Sequence, residues 1–376
     1  MSTPARRAIN VGTPPAGPYS HVVSAGGLIY LSGVVAEDGH RQVVGKGDVA
    51  AQTREVLDRL RTRLEAAGSS IGQVVCVTVY LKSASDFAAM NAAYRTYWPK
   101  DPPTRTTVIA DLVLPDALIE IAMIAVPNGA ERTVIQPSDW QPSPNPYSYG
   151  IRTGDTLFMS GLISRRGRDN SFVSGDVPEQ TRVVLDSAGE LLAAAGLTHA
   201  DVVSARVFLP DGTTFQQMNG EYRTYFSSNP PVRATVTAGL AGPQALVEMT
   251  FIASSSTREV IEPDANRNPN LSTAIVAGQR VYLSGILGNR PDNAGDAAAQ
   301  TTETLMRIRR ALEAAGSSPA DVVDSLVYLP DLAAYPAMND AYRAFFKESF
   351  PARATVASGL FAPDGLVEIM MTAVRP

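Results

Sequence analysis

A single cysteine, three histidines and no long apolar run set the first limits on this chain. One thiol cannot close an intramolecular disulfide, which fits a reducing compartment. Cys76 and the scattered His21, His40 and His199 give little material for a transition-metal site, so no metal is expected. No stretch approaches the ~18 apolar residues of a membrane-spanning helix. The longest apolar stretch, 117–126, carries Glu120 in its interior. The opening residues 1–7 lead into no apolar segment, so no signal peptide is expected and a cytoplasmic location is the default. An excess of positive charge is lacking too. A net charge of −5 without a Lys/Arg cluster argues against nucleic acid or a membrane surface as partner.

What the chain does have is length and repetition. Its 376 residues, 45% hydrophobic and 18% charged, make an ordinary globular composition with room for two or three domains. Three segments align: Pro-Thr-Arg105-Thr-Thr107-Val, Pro-Val-Arg233-Ala-Thr235-Val and Pro-Ala-Arg353-Ala-Thr355-Val. Fifteen residues after each arginine comes a glutamate in an apolar run: Glu120, Glu248 and Glu368. Fourteen residues before each arginine stands an asparagine in a shared Met-Asn-x-x-Tyr pattern: Asn91, Asn219 and Asn339. Further upstream are Leu-Ser32-Gly, Met-Ser160-Gly and Leu-Ser284-Gly. The serine-to-asparagine spacing is four residues shorter in the third copy, and the deletion falls in the loop after Ser284, where length changes are cheap. One unit is therefore written three times, over residues 1–130, 131–256 and 257–376. The boundaries follow the recurring openings at Arg7, Arg132 and Arg258. The proline-rich stretches 136–146 and 262–269 read as loops within units or as linkers.

In the first unit, strands are expected at 22–25 and 28–31, joined by a Gly26-Gly27 turn. A helix over 49–67 shows an apolar stripe of Val49, Val56, Leu57, Leu60 and Leu64, with Asp48 as N-cap and Gly68 as its left-handed stop. A buried strand at 74–81, a second helix over 86–97 and strands at 104–110 and 117–126 complete an α+β unit with its helices on one side of a sheet. Met90, Tyr94 and Tyr97 at helical spacing read as core, and Cys76 as a buried structural thiol, since Ser204 and Asp324 stand at its place in the other copies.

Strand alternation puts Glu120 on one face with Ala122 and Ile124, an apolar setting where a carboxylate is costly unless paired or protonated. The preceding strand is expected to be its neighbour and to offer Arg105, with Thr107 on the same face. Two readings stay open on spacing alone. One is a buried Arg–Glu bridge fixing register; the other is a site that anchors a carboxylate and handles a proton.

Taken together, Gly-Pro-Tyr19-Ser, Leu-Ser32-Gly, Met-Asn91-x-x-Tyr, Arg105-x-Thr107-Val and Ile-Glu120-Ile resemble the signatures of the RidA/YjgF/UK114 family, once per unit over essentially the whole chain. The resemblance implies a chorismate-mutase-like α+β fold. It also implies that three linked units, in place of the usual homotrimer, close into one pseudo-trimer with clefts between units. The implied reaction is cofactor-free hydrolysis of enamine or imine acids, such as 2-aminoacrylate, to 2-keto acids and ammonia. By that resemblance Arg105, Arg233 and Arg353 hold the substrate carboxylate. Glu120, Glu248 and Glu368 orient or activate water. Tyr19 and Tyr147, with Ser32, Ser160, Ser284, Asn91, Asn219 and Asn339, position substrate and shuttle protons. Thr107, Thr235 and Thr355 stand where many members have cysteine, and Leu271 replaces the tyrosine in the third unit. Beside the hydrolase stand a specialised enzyme for a larger imine intermediate and a non-catalytic binder of carboxylate metabolites. Roles on RNA or as a chaperone, also described for the family, fit the acidic balance least.

Overall fold

Apolar residues at helical spacing and β-branched runs between glycine turns fix the elements of each unit. The computed structural model describes residues 6–263 and 268–376. The chain start at 1–5 and the part of the proline-rich loop at 264–267 lie outside the described residues. The six helices found among those described are α1 (Val49–Ala66), α2 (Phe87–Arg95), α3 (Val177–Ala194), α4 (Phe215–Tyr225), α5 (Ala297–Ala314) and α6 (Tyr335–Phe346). Asp48, Asp176 and Asp296 cap the three long helices by accepting a backbone N–H in the first turn. Gly68, Gly196 and Gly316 end them at φ of 80°, 72° and 69°, where a side chain would be strained.

The first sheet runs in the order Val22–Ala25, Leu28–Val35, Ile119–Ala125, Val74–Leu81, Thr104–Ile109, with Arg7–Ile9 at the outer edge. The other units repeat it. One expectation is corrected here. The two last strands of a unit are not neighbours: Val74–Leu81 lies between them, parallel to the arginine strand and antiparallel to the glutamate strand. Tyr80 is registered opposite Glu120, and Val77 opposite Arg105. An Arg105–Glu120 bridge within the unit is thereby ruled out. The opening arginines also shift by one residue, because strand register makes Arg6, not Arg7, the equivalent of Arg132 and Arg258.

Each sheet buries its helix face in a core of its own, and Met90 and Tyr94 belong to the first of these. The opposite faces pack together in a shared core holding Tyr80, Phe208 and Tyr328, one from each unit. The ring closes through backbone pairing. Leu240 of unit two pairs with Val108 of unit one, Leu112 of unit one with Val356 of unit three, and Gly359 of unit three with Thr237 of unit two. Arg6, Arg132 and Arg258 staple each unit to its ring neighbour by donating to backbone carbonyls there, among them Val322, Val74 and Ala200.

Along the pseudo-threefold axis runs a cavity of about 80 Å³ whose walls break the symmetry. Equivalent strand positions contribute Cys76, Ser204 and Asp324 in one layer and Thr78, Arg206 and Leu326 in the next. The Arg206 guanidinium donates to the Thr78 hydroxyl at 3.1 Å.

Candidate functional site

The arginine strand is the edge of its own sheet, so its side chains look onto the adjoining unit. Three equivalent clefts result. Arg105 faces Glu248, Arg233 faces Glu368, and Arg353 faces Glu120, each pair lining one cavity. Every cleft is thus built from two units, with arginine, asparagine and threonine from one side and glutamate and the Tyr/Leu position from the other. None of these arginines forms a direct ion pair among the described residues. The guanidinium and carboxyl groups oppose each other across open space.

Serines tie this arrangement together. Ser32 Oγ accepts the Arg353 N–H at 2.8 Å and donates to the Ser20 carbonyl at 2.6 Å. Ser160 does the same with Arg105 and Ser148, and Ser284 with Arg233 and Ser272. These hydroxyls, expected to meet substrate, are already engaged in fixing the arginine strand of the neighbour. The following glycine has a different duty. A Cβ on Gly33, Gly161 or Gly285 would lie 1.9 Å from Oε1 of the facing Glu120, Glu248 or Glu368. Only glycine lets the carboxyl group sit there.

Asn219 and Asn339 steer the guanidinium: Oδ1 of each accepts from Nη2 of Arg233 or Arg353 at 2.7 Å. Asn91 instead donates to Asn145 Oδ1 at 3.3 Å, and its own Oδ1, like Arg105 Nη1, is buried without a partner. The rings of Tyr94, Tyr222 and Tyr342 buttress the arginines at 4.9, 4.6 and 4.9 Å from Cζ, so these core tyrosines also support the site. Tyr147 and Tyr19 close two clefts at 5.8 and 5.6 Å from Arg105 and Arg353, while Leu271 lines the third. Phe87, Phe215 and Tyr335 also line the clefts. They stand four residues before each asparagine, hence on the same helix face, a spacing the sequence offered and the motif reading passed over.

Two observations mark these clefts as more than packing. Thr107, Thr235 and Thr355 all bury an Oγ1 without a hydrogen-bond partner, as Arg233 does its Nε and Nη1. Such orphans cost about 1–3 kcal/mol each unless water or a ligand completes them. Burial also pushes all three glutamates up to about 8, against the downward pull of the facing arginines. Each cleft thus sets a carboxyl group, held toward its protonated form by burial, opposite a guanidinium.

Known proteins match this chain unit by unit and, in one case, along most of its length. The family model described as endoribonuclease L-PSP matches residues 10–127, 140–255 and 264–375. A RutC family protein of Pyrococcus horikoshii is 42% identical over 111 residues, covering 30% of this chain and 88% of that protein. The 3-aminoacrylate deaminase RutC of Acinetobacter baylyi is 41% identical over 112 residues, covering 30% of this chain and 89% of its own. Over 91% of the chain the fold also matches 98% of a chorismatase crystal structure, at a TM-score of 0.58 and 14% identity. That likeness concerns the fold alone.

Proposed function

The chain belongs to the endoribonuclease L-PSP family three times over, and from that premise we propose that it hydrolyses reactive enamine or imine acids to oxo acids and ammonia at the clefts between its units. The observation that carries this reading is the unpaired arginine facing a buried glutamate across an open cleft, three times over. The deaminase named among the relatives supports the same chemistry.

For 2-aminoacrylate in the Arg353–Glu120 cleft, the guanidinium takes the substrate carboxylate in a bidentate grip. The Glu120 carboxyl proton passes to the terminal enamine carbon, giving the iminium. Water then adds to the iminium carbon and returns a proton to the Glu120 carboxylate. The resulting carbinolamine transfers its hydroxyl proton to nitrogen and breaks its C–N bond, releasing pyruvate and ammonia. One water is consumed and the acid is regenerated. The Thr355 hydroxyl faces the same cavity as an available hydrogen-bond partner. Ser32 and Asn339 act on the arginine, as positioning residues.

The test is oxo-acid release from 2- and 3-aminoacrylate generated in situ, with the Arg105→Ala/Arg233→Ala/Arg353→Ala protein as control. A rate for the intact protein no greater than that of the variant and of buffer would sink the hydrolase reading. Retained keto-acid binding in that event would favour a binding role.

Cleft pairing gives a second expectation. Arg353→Ala and Glu120→Gln disable the same cleft, so the double variant should keep the activity of Arg353→Ala alone. Arg353→Ala with Glu248→Gln should lose a second cleft and fall further. Steady-state rates separate the two, and equal losses in both doubles would refute cross-unit assembly.

A further inference from the structure

Beside the Arg353–Glu120 cleft lies a larger cavity, of about 460 Å³, found in unit one. The two spaces adjoin, sharing Ala16, Tyr19, Glu37 and Arg41 in their walls. Its deepest cation is Arg63, projecting from the inward side of α1. The equivalent positions of α3 and α5 are Leu191 and Ala311, both fully buried apolar residues of their cores. Unit one has therefore exchanged a core aliphatic for an arginine. Nη1 of Arg63 is buried without a hydrogen-bond partner, and Arg63 forms no ion pair among the described residues. A half-buried cation whose buried nitrogen has no partner carries a desolvation cost that a bound anion would offset.

Unit two shows what an occupied version looks like. In unit two the equivalent space is filled by Trp140, packed against Gly167, and by Tyr149, which stands at the position of His21; the two rings meet edge to face at 4.8 Å. Trp140 Nε1 donates to Glu190 at 2.7 Å, so the space is plugged and its polar atom satisfied. In unit one nothing lies within 4 Å of a Cβ built on Gly12, and the space stays open. Neighbouring groups are already committed. Arg59 is held by Glu55 and the Glu37 carbonyl, and Asp38 accepts the His40 and Gln42 amides of its own turn. His21 accepts the Val11 N–H at Nδ1, and burial together with Arg63 drops its pKa to about 4, so it adds no positive charge. Glu37 is the acidic side chain facing Arg63 without pairing to it.

We propose that this cavity is an anion-binding annex to the Arg353–Glu120 cleft. Arg63 at its floor and Arg41 at the junction receive a second carboxylate or a phosphate on a ligand too long for the cleft alone. The location of the ligand's reacting end rests on the cleft reading given above; the annex itself does not. It gives one of the three clefts a substrate class of its own, elongated and carrying a distal anion.

Calorimetric titration tests this with 2-oxobutanoate, 2-oxoadipate and inorganic phosphate against wild type, Arg63→Leu and Arg63→Lys. Leucine is the residue unit two already tolerates at this position, so the variant should fold, and circular dichroism checks that it does. In wild type, one site per chain should bind 2-oxoadipate or phosphate. Arg63→Leu should weaken that binding at least tenfold and leave 2-oxobutanoate unchanged, with Arg63→Lys recovering part of the loss. A loss confined to the keto diacid assigns the annex to dicarboxylic ligands, and a loss confined to phosphate assigns it to phosphorylated ones. Affinities for both within twofold of wild type in Arg63→Leu would overturn the proposal. If 2-oxobutanoate does not bind at all while Arg63→Leu still removes phosphate, the cleft reading falls and the annex stands.

Discussion

Replacing Glu120, Glu248 and Glu368 together by glutamine should lower oxo-acid release by about 10²–10⁴-fold, the usual worth of a positioned acid–base group, while keto-acid binding persists. Glutamine keeps the shape beside Gly33, Gly161 and Gly285 but cannot donate and recover a carboxyl proton. The arginines that would hold the carboxylate remain in place. On the proposed mechanism the acid form is the competent one. With the glutamates at about 8, activity should be flat from roughly pH 6 to 7.5 and fall above pH 8. A rate that instead rises tenfold per pH unit through this range would mean that the carboxylate acts first, as a base. An unchanged rate in the triple glutamine variant would remove the glutamates from the chemistry altogether.

The same variant should be more stable than wild type at alkaline pH. Burial raises each carboxyl group from the ordinary 4.5 to about 8. The folded state therefore binds these protons more tightly than the unfolded chain. The associated stability is fully present below pH 4.5 and is lost as pH rises through about 8. One pKa unit is about 1.4 kcal/mol. Even a single unit expressed at each of the three sites gives roughly 4 kcal/mol, which in a chain of this size is several degrees in Tm. Differential scanning calorimetry at pH 5 and pH 8 should show wild type losing those degrees and the glutamine variant keeping them. A variant whose Tm falls in parallel with wild type would place the pH dependence elsewhere. The carboxyl groups are thus held at a cost to stability, as reactive groups commonly are.

Periodicity made the elements of one unit readable. The stripe on 49–67 and the β-branched run at 74–81 end within a residue of α1 and the strand Val74–Leu81. Spacing also exposed the repeated arginine, glutamate, asparagine and threonine of each cleft, but not Arg41, Arg165 or Asn145, which line them from loops. Strand order was not readable, because a sequence shows which segments are strands but not which one lies between two others. Glu120 therefore seemed to have Arg105 as neighbour, when its facing cation is Arg353, 233 residues away. The engagement of Ser32 was hidden for the same reason, since its partner, the Arg353 amide, belongs to another unit. Differences between the copies were legible at Leu271 and at Cys76, Ser204 and Asp324, but not the one that opens a cavity. The annex arises where unit one has Arg63 against Leu191 and lacks the tryptophan that fills the same space in unit two.

The asymmetric axis has a consequence for the history of such a chain. In a homotrimer every axial side chain meets two copies of itself. An arginine at the position of Arg206, or an aspartate at that of Asp324, would crowd three like charges around a cavity of about 80 Å³. Here Arg206 meets a threonine hydroxyl and a leucine at its own level, and Asp324 a thiol and a serine, with the opposite charge one layer away. Once the axial positions had diverged in this way, an excised unit two or unit three could no longer trimerise without self-repulsion. The fusion then works as a ratchet: independent drift of the three copies is open to the linked chain, and the return to free subunits is closed.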